Sequence, residues 1–258
     1  MRQTKQKKSL GPPLKSTLFN TILPELKQQS FYFSIKAVQR VLGEHSIHVA
    51  DQTLRKYLSQ AMTMGIVNDA GYGWYSSIAK PFVLNADPIL KFVKKVKDKF
   101  PLLDFSCWST QQINSFTHHM LAKFVTFIYV DQDALFSVRD WMRHEGFEVY
   151  VSPGKAEIEK NFEVGENTVV IRRGCFKETK KGSHLAPIEK ILVDLLIEAP
   201  KLYLMDDSEA EGVIEKTLES GRINIAVLFS YARQHRANIS FLNNISLFSA
   251  QKLILHSK

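Results

Sequence analysis

Asp131-Gln132-Asp133 sets two carboxylates two residues apart, directly after the β-prone run Ala122 to Val130, AKFVTFIYV. Paired oxygens of this kind hold Mg²⁺ in nucleotidyl transfer, where phosphate chemistry needs hard ligands close together. Such sites also use a Gly-Ser phosphate-binding turn. None precedes this run, and Gly182-Ser183 lies far downstream. Either aspartate can instead cap a following helix, and that is the preferred reading. Glu178-Thr179-Lys180 has the E-x-K form of restriction-type nucleases, but it falls in a loop rich in Gly and Lys. His118-His119 and His184 have no Ser or Cys in a nucleophile context. His45 and His48 lack the Cys or carboxylate pattern that would complete a tetrahedral metal set, and read as turn residues. No phosphate loop or dinucleotide fingerprint is present. The expectation is a protein without catalytic residues, metal or cofactor; an enzyme using Asp131 and Asp133 is the weakest alternative.

The polar residues that do form a pattern lie between Asp51 and Ser76, DQTLRKYLSQAMTMGIVNDAGYGWYS. Leu54, Tyr57, Leu58, Ala61 and Met62 fall at i, i+3, i+4, i+7 and i+8, the spacing of one buried helical stripe. Gln52, Lys56, Ser59 and Thr63 line the opposite face, with Thr53, Arg55 and Gln60 beside them. Asp51 is expected to cap this helix and Gly65 to end it. Ile66-Val67 and Trp74-Tyr75 flank a segment holding Asp69, Gly71 and Gly73, which predicts a small hairpin. A polar-faced helix followed by a hairpin is how a winged helix-turn-helix ends. On that reading Gln52, Thr53, Arg55, Lys56 and Ser59 face the major groove, and Tyr72 lies along the backbone. An ordinary helix and hairpin has the same pattern, so the elements around it must decide.

Ahead of it, Ser16 or Thr17 can cap a helix through Lys27, kinked or restarted at Pro24. Ser34 caps a second helix with Ile35, Val38, Val41 and Leu42 inward. Three helices and then a hairpin is the winged-helix order, and it favours double-stranded DNA as the partner. Residues 1–15 read as a flexible basic arm whose Lys5, Lys7 and Lys8 can meet phosphates or a minor groove. Charge agrees: residues 1–100 hold 16 Lys/Arg and 6 Asp/Glu, or +10, whereas the remainder holds 18 and 20, or −2. A basic part joined to a near-neutral part fits a nucleic-acid-binding domain carrying a different module.

The boundaries expected are residues 1–15 for the arm, 16–80 for the winged helix, 81–100 for a linker helix with a basic face, and 101–258 for a second domain. That domain reads as a helix over Ser109 to His119, strands at 122–130, 147–151 and 168–172, and a parallel crossover through a helix beginning near Asp131. Four helices follow Pro187: Ile188 to Glu198, Asp207 to Glu219, Asn224 to Arg236 and Phe241 to Leu255. The fold class is therefore α+β, with a winged helix, a linker helix, a small mixed sheet and a C-terminal helical bundle. With 45% hydrophobic and 23% charged residues the composition is that of a globular protein. No run approaches the roughly 18–20 apolar residues of a membrane span. The basic start lacks the apolar segment of a secretory signal. Cys107 and Cys175 make neither a disulfide framework nor a metal cluster. A cytoplasmic protein with no membrane partner is expected.

Two stretches in the second domain, APIEKILVDLL and EGVIEKTLESGRINIAVLFSYARQH, resemble the C-terminal domain of AbiEi-type antitoxins of type IV toxin–antitoxin systems. The matching positions are Pro187, Lys190, Val193, Asp194 and Leu196, then Leu228, Tyr231, Ala232 and Arg233. WSTQQINSFTHH (Trp108 to His119) is similar to that family's helix ahead of its first strand, and GYGWYS to the end of its winged helix. The resemblance spans most of the chain through short, largely apolar motifs in order. It implies a bacterial autorepressor that binds its own promoter and counteracts a cognate AbiEii-type nucleotidyltransferase toxin, with or without contact. The long basic arm, the Lys-rich linker and the more elaborate strand region depart from the family. A winged-helix transcription factor with a ligand-sensing or dimerisation domain is the alternative.

Overall fold

The computed structural model describes residues 14–174, 183–243 and Phe248. Among these the chain is α+β and forms two compact units. One comprises the residues up to Pro81 together with 240–243 and Phe248, the other Phe82–Ile239.

The first unit opens with α1 (Leu14–Thr17), a π-helical turn (Leu18–Ile22) and α2 (Leu23–Gln29). These run on without a break despite Pro24. A proline lacks an N–H, and its ring crowds the carbonyl four residues back. Here the Leu23 N–H already bonds the Leu18 carbonyl, five back, so the helix has widened before the ring arrives. A short strand, β1 (Tyr32–Ser34), leads to α3 (Ile35–Glu44), where the Ser34 hydroxyl accepts from the Ala37 N–H at 3.2 Å. Then come α4 (Asp51–Thr63) and a hairpin of β2 (Asn68–Asp69) and β3 (Trp74–Ser76). The sheet is antiparallel in the order β1-β3-β2, with Tyr32 opposite Ser76 and Asn68 opposite it on the other side. Three helical segments and a hairpin thus appear in the expected order, with β1 as an added strand. Leu18, Leu26, Val38, Leu54 and Leu58 are buried together at the centre. Phe248 is buried too, stacked on Tyr32 at 5.6 Å and bridged to its backbone. The helix expected over Phe241 to Leu255 is a 3-10 turn at Ser240–Asn243 with Phe248 in a β-bridge; its other residues lie outside those described.

In the second unit the strands β4 (Phe105–Ser109), β5 (Val125–Val130), β6 (Glu148–Val151) and β7 (Thr168–Arg173) lie in the order β4-β5-β7-β6. β5 and β6 are each parallel to β7, while β4 is antiparallel to β5. The expected crossover through α6 (Leu135–His144) does join parallel strands, but β7 enters between them, after α7 (Lys155–Asn161). The helix expected over Ser109 to His119 is a 3-10 segment at Thr110–Phe116, opened by a Ser109–Gln112 capping box, and Ser109 itself ends β4.

Side-chain alternation divides this sheet. Phe105, Cys107, Ile128 and Ile171 point to a core shared with α6 and with α5 (Asp87–Lys99), whose Ile89 and Val96 are buried there. The segment expected as a linker is therefore a packed helix of the second unit. Trp108, Phe127, Tyr129 and Arg172 point the other way, towards α8 (Ile188–Lys201) and α10 (Ile225–Gln234); α9 (Asp207–Ser220) lies between those two in sequence. No helix among the described residues is long and apolar enough to cross a membrane.

Candidate nucleic-acid interface

The stripe of α4 packs as its spacing requires: Leu54, Leu58 and Ala61 are buried, with Tyr57 and Met62 half-buried against the same core. The start of the helix differs from expectation. Ala50 occupies the capping position without a side-chain bond, and Asp51 is the first helical residue. Its carboxylate accepts instead from the Gln39 side chain, which ties α4 to α3. A negative charge in the first turn also suits the helix dipole. The end is as expected. Gly65 takes φ +69, its N–H bonds the Met62 carbonyl at 3.0 Å, and Ile66 N–H bonds Ala61 at 2.9 Å. These two hydrogen bonds, made possible by the left-handed turn at Gly65, close the helix. Ile66 and Val67 then turn into the core rather than forming the first strand, so hairpin pairing begins at Asn68.

Burying one stripe leaves the other face in solvent. Gln52, Arg55, Lys56 and Ser59 are exposed and Thr53 is half-buried, so Thr53 flanks the polar face rather than sharing it fully. The side chains of Gln52, Lys56 and Ser59 have no partner among the described residues, which leaves their donors and acceptors available. The hairpin lies against this face. Tyr72, at its tip, is 85% exposed, and the Arg55 guanidinium sits 5.5 Å from its ring centroid. A cation over an aromatic face at such a distance gains about 0.5–1 kcal/mol when exposed. That contact favours, without fixing, an Arg55 side chain turned towards the hairpin. Burial raises the Tyr75 hydroxyl above its ordinary range, with Arg55 acting to lower it and Asp69 to raise it further. Arg55 therefore influences two hairpin tyrosines, and helix and hairpin present one surface. Lys5, Lys7 and Lys8 lie outside the described residues, and Lys15 rests over the Phe19 ring at 5.5 Å.

The other candidates do not assemble. Asp131 holds the capping position of the 3-10 turn at Gln132–Ala134 but makes no capping bond, and both Asp131 and Asp133 are exposed. His45 meets Glu25 at 3.2 Å, and His184 stacks on Phe105 at 4.1 Å. Glu178 and Lys180 lie outside the described residues. No group of three or more His, Cys, Asp and Glu among the described residues is placed to hold a metal ion.

The second unit contains a polar network that its apolar sequence conceals. Lys190 is 1% exposed. Its Nζ donates to Asp194 Oδ2 and to Tyr231 Oη, each at 2.7 Å, and Tyr231 Oη donates to Asp194 Oδ1 at 3.1 Å. The ammonium also lies 3.4 Å from the Tyr129 ring centroid. Burial first, and the Asp194 and Glu198 carboxylates next, push the Tyr129 hydroxyl well above its ordinary range. That hydroxyl is near Asp194 without forming a well-shaped hydrogen bond to it. Arg172, opposite Tyr129 across β5 and β7, pairs with Glu198. Lys190, Asp194 and Tyr231 are three of the positions that carry the resemblance. The signal for this network in the sequence is the Lys-x-x-x-Asp-x-x-x-Glu spacing of Lys190, Asp194 and Glu198, which sets all three on one face of α8; no such spacing marks Tyr129 or Arg172.

Fold and surfaces together define an α+β protein with a small helix-and-hairpin unit that exposes a polar helix face, and a mixed-sheet unit braced by a buried ion network. The chain belongs to the family of unknown function DUF6577, whose model matches residues 53–250, beginning within α4 and covering the second unit. No curated protein matches the chain.

Proposed function

We propose that the chain is a DNA-binding antitoxin and transcriptional autorepressor of a type IV toxin–antitoxin system, with its first unit acting as a winged helix-turn-helix. The observation that carries the DNA half is the exposed face of α4, Gln52, Arg55, Lys56 and Ser59, flanked by the solvent-facing Tyr72 of the hairpin. These side-chain types bond base edges and phosphates, and a helix of 13 residues fits a major groove. The strand order β1-β3-β2, with the hairpin following the third helical segment, supports the same reading. The antitoxin half rests on the resemblance through Lys190, Asp194 and Tyr231, and its functional partner is a nucleotidyltransferase toxin. No catalytic role is assigned to any residue.

Two experiments separate the halves. A gel shift with the gene's own upstream DNA should show salt-sensitive binding, because each phosphate contact releases counterions; its absence removes the repressor half. Co-expression with an adjacent toxin gene should restore growth, and failure to do so removes the antitoxin half.

A further inference from the structure

The second unit holds a pocket that the DNA-binding reading leaves unused. Ser109, Thr126 and Val169 stand side by side across β4, β5 and β7, on the face that α5 covers. At this end of the sheet α5 leaves a cavity of about 360 Å³, with the three residues as its floor. Lys91, Phe92 and Lys95 form its wall, being spaced so that one helical face presents all three. Phe124 and Phe147 close the rim, and the Phe92 and Phe147 rings meet edge-on at 5.7 Å. Its size suits a small molecule, and its lining sets three aromatic rings among charged and polar side chains.

The charge of the wall narrows the ligand. Lys91 has no carboxylate partner among the described residues. Lys95 has only a loose one, Glu145 at 3.9 Å with the Lys95 side chain 57% exposed, which an incoming anion can displace. Lys95 also lies 5.8 Å from the Phe147 ring. Glu166 is the single carboxylate in the lining, against two ammonium groups. The Thr126 hydroxyl on the floor is without a partner among the described residues and can donate to a bound oxygen. We infer that this pocket binds a small organic anion with a flat apolar body, its carboxylate, phosphate or sulfonate held by Lys91 and Lys95 and its rings held among the three phenylalanines. This goes beyond the DNA reading and does not depend on it.

The test uses the full chain and two dyes, anilinonaphthalene sulfonate and phenylnaphthylamine, which share their rings and differ in the sulfonate. One saturable site should bind the sulfonate more tightly than the neutral dye. Lys91→Gln with Lys95→Gln should weaken the sulfonate about five- to tenfold, as expected for two half-exposed charge contacts. The same pair should leave the neutral dye within about twofold. Lys94→Gln with Lys97→Gln, on the same helix but away from the pocket, should change neither. All four lysines are exposed, so both variants should melt with the parent protein. The inference is overturned by the absence of a saturable site, by unchanged sulfonate binding in the Lys91/Lys95 variant, or by an equal loss in the Lys94/Lys97 variant.

Discussion

Removing Lys190 should damage the second unit more than its polar character suggests. Lys190→Met keeps the stem and deletes an ammonium that donates to Asp194 and Tyr231. Asp194, 3% exposed, is then left with Tyr231 Oη as its remaining donor in the network. A buried charge stripped of its ion partner typically costs about 3–5 kcal/mol. The attraction over the Tyr129 ring is lost as well. Asp194→Leu alone should cost a similar amount, since it strands the ammonium instead. The combined variant should cost clearly less than the two single losses added together, because no unpaired charge is left behind. Urea unfolding followed by fluorescence can report this, with Trp108 buried beside Phe127 in the same unit at 4.5 Å. Single variants within about 1 kcal/mol of the parent would refute the account of a network that braces α8. So would strict additivity of the two losses.

Three further outcomes follow from local geometry. Ser46 ends α3 with φ 58 and an exposed side chain, so Ser46→Gly should stabilise the first unit by about 0.5–1 kcal/mol in urea titration. Burial, followed by Glu219 and Glu211 one turn away on either side, raises Glu215 above the ordinary carboxylate range. A carboxyl that holds its proton better when folded favours the fold at low pH and loses that benefit as pH rises through the raised value. Glu215→Gln should therefore stabilise near pH 7 by about 0.5–1 kcal/mol and give no gain below about pH 4, so a larger gain in acid would contradict the assignment. The Cys107 thiol is fully buried, with its pKa pushed far up by burial, and it bonds the His184 carbonyl at 3.3 Å. Peptide mass spectrometry should find it unmodified by iodoacetamide in the native protein and modified in urea.

The helices of this chain were legible because their periodicity and ends are local properties. The stripe of α4, the Ser34 cap and the left-handed Gly65 each depend on residues within two turns. The strands were less so. β4 is buried at all five positions, so FSCWS shows no alternation, and its polar neighbours read as helix. β1 is three residues long and exists by pairing with β3, some forty residues away. The insertion of β7 between β5 and β6 is a choice among topologies that strand patterns leave open. Asp51 looked like a cap by type, but its carboxylate is engaged by Gln39 across the helix pair. In the candidate site, exposure of Gln52, Arg55, Lys56 and Ser59 followed from the opposite stripe. The contact of Arg55 with Tyr72 depends on how the hairpin folds back, which no spacing encodes. In the sequence Lys190 stands out only as a motif position, because a charge on a helix shows its burial only once its partners on β5 and α10 are known.

The central claim is that the exposed face of α4 reads DNA, and fluorescence anisotropy with the gene's upstream duplex tests it most directly, against a scrambled duplex and over a range of salt. The parent protein should prefer the upstream duplex, with affinity falling as salt rises. Arg55→Ala should lose about 10- to 100-fold on that duplex, the worth of one bidentate base contact, and much less on the scrambled one. Equal binding of both duplexes by parent and variant, or binding indifferent to salt, would contradict the account.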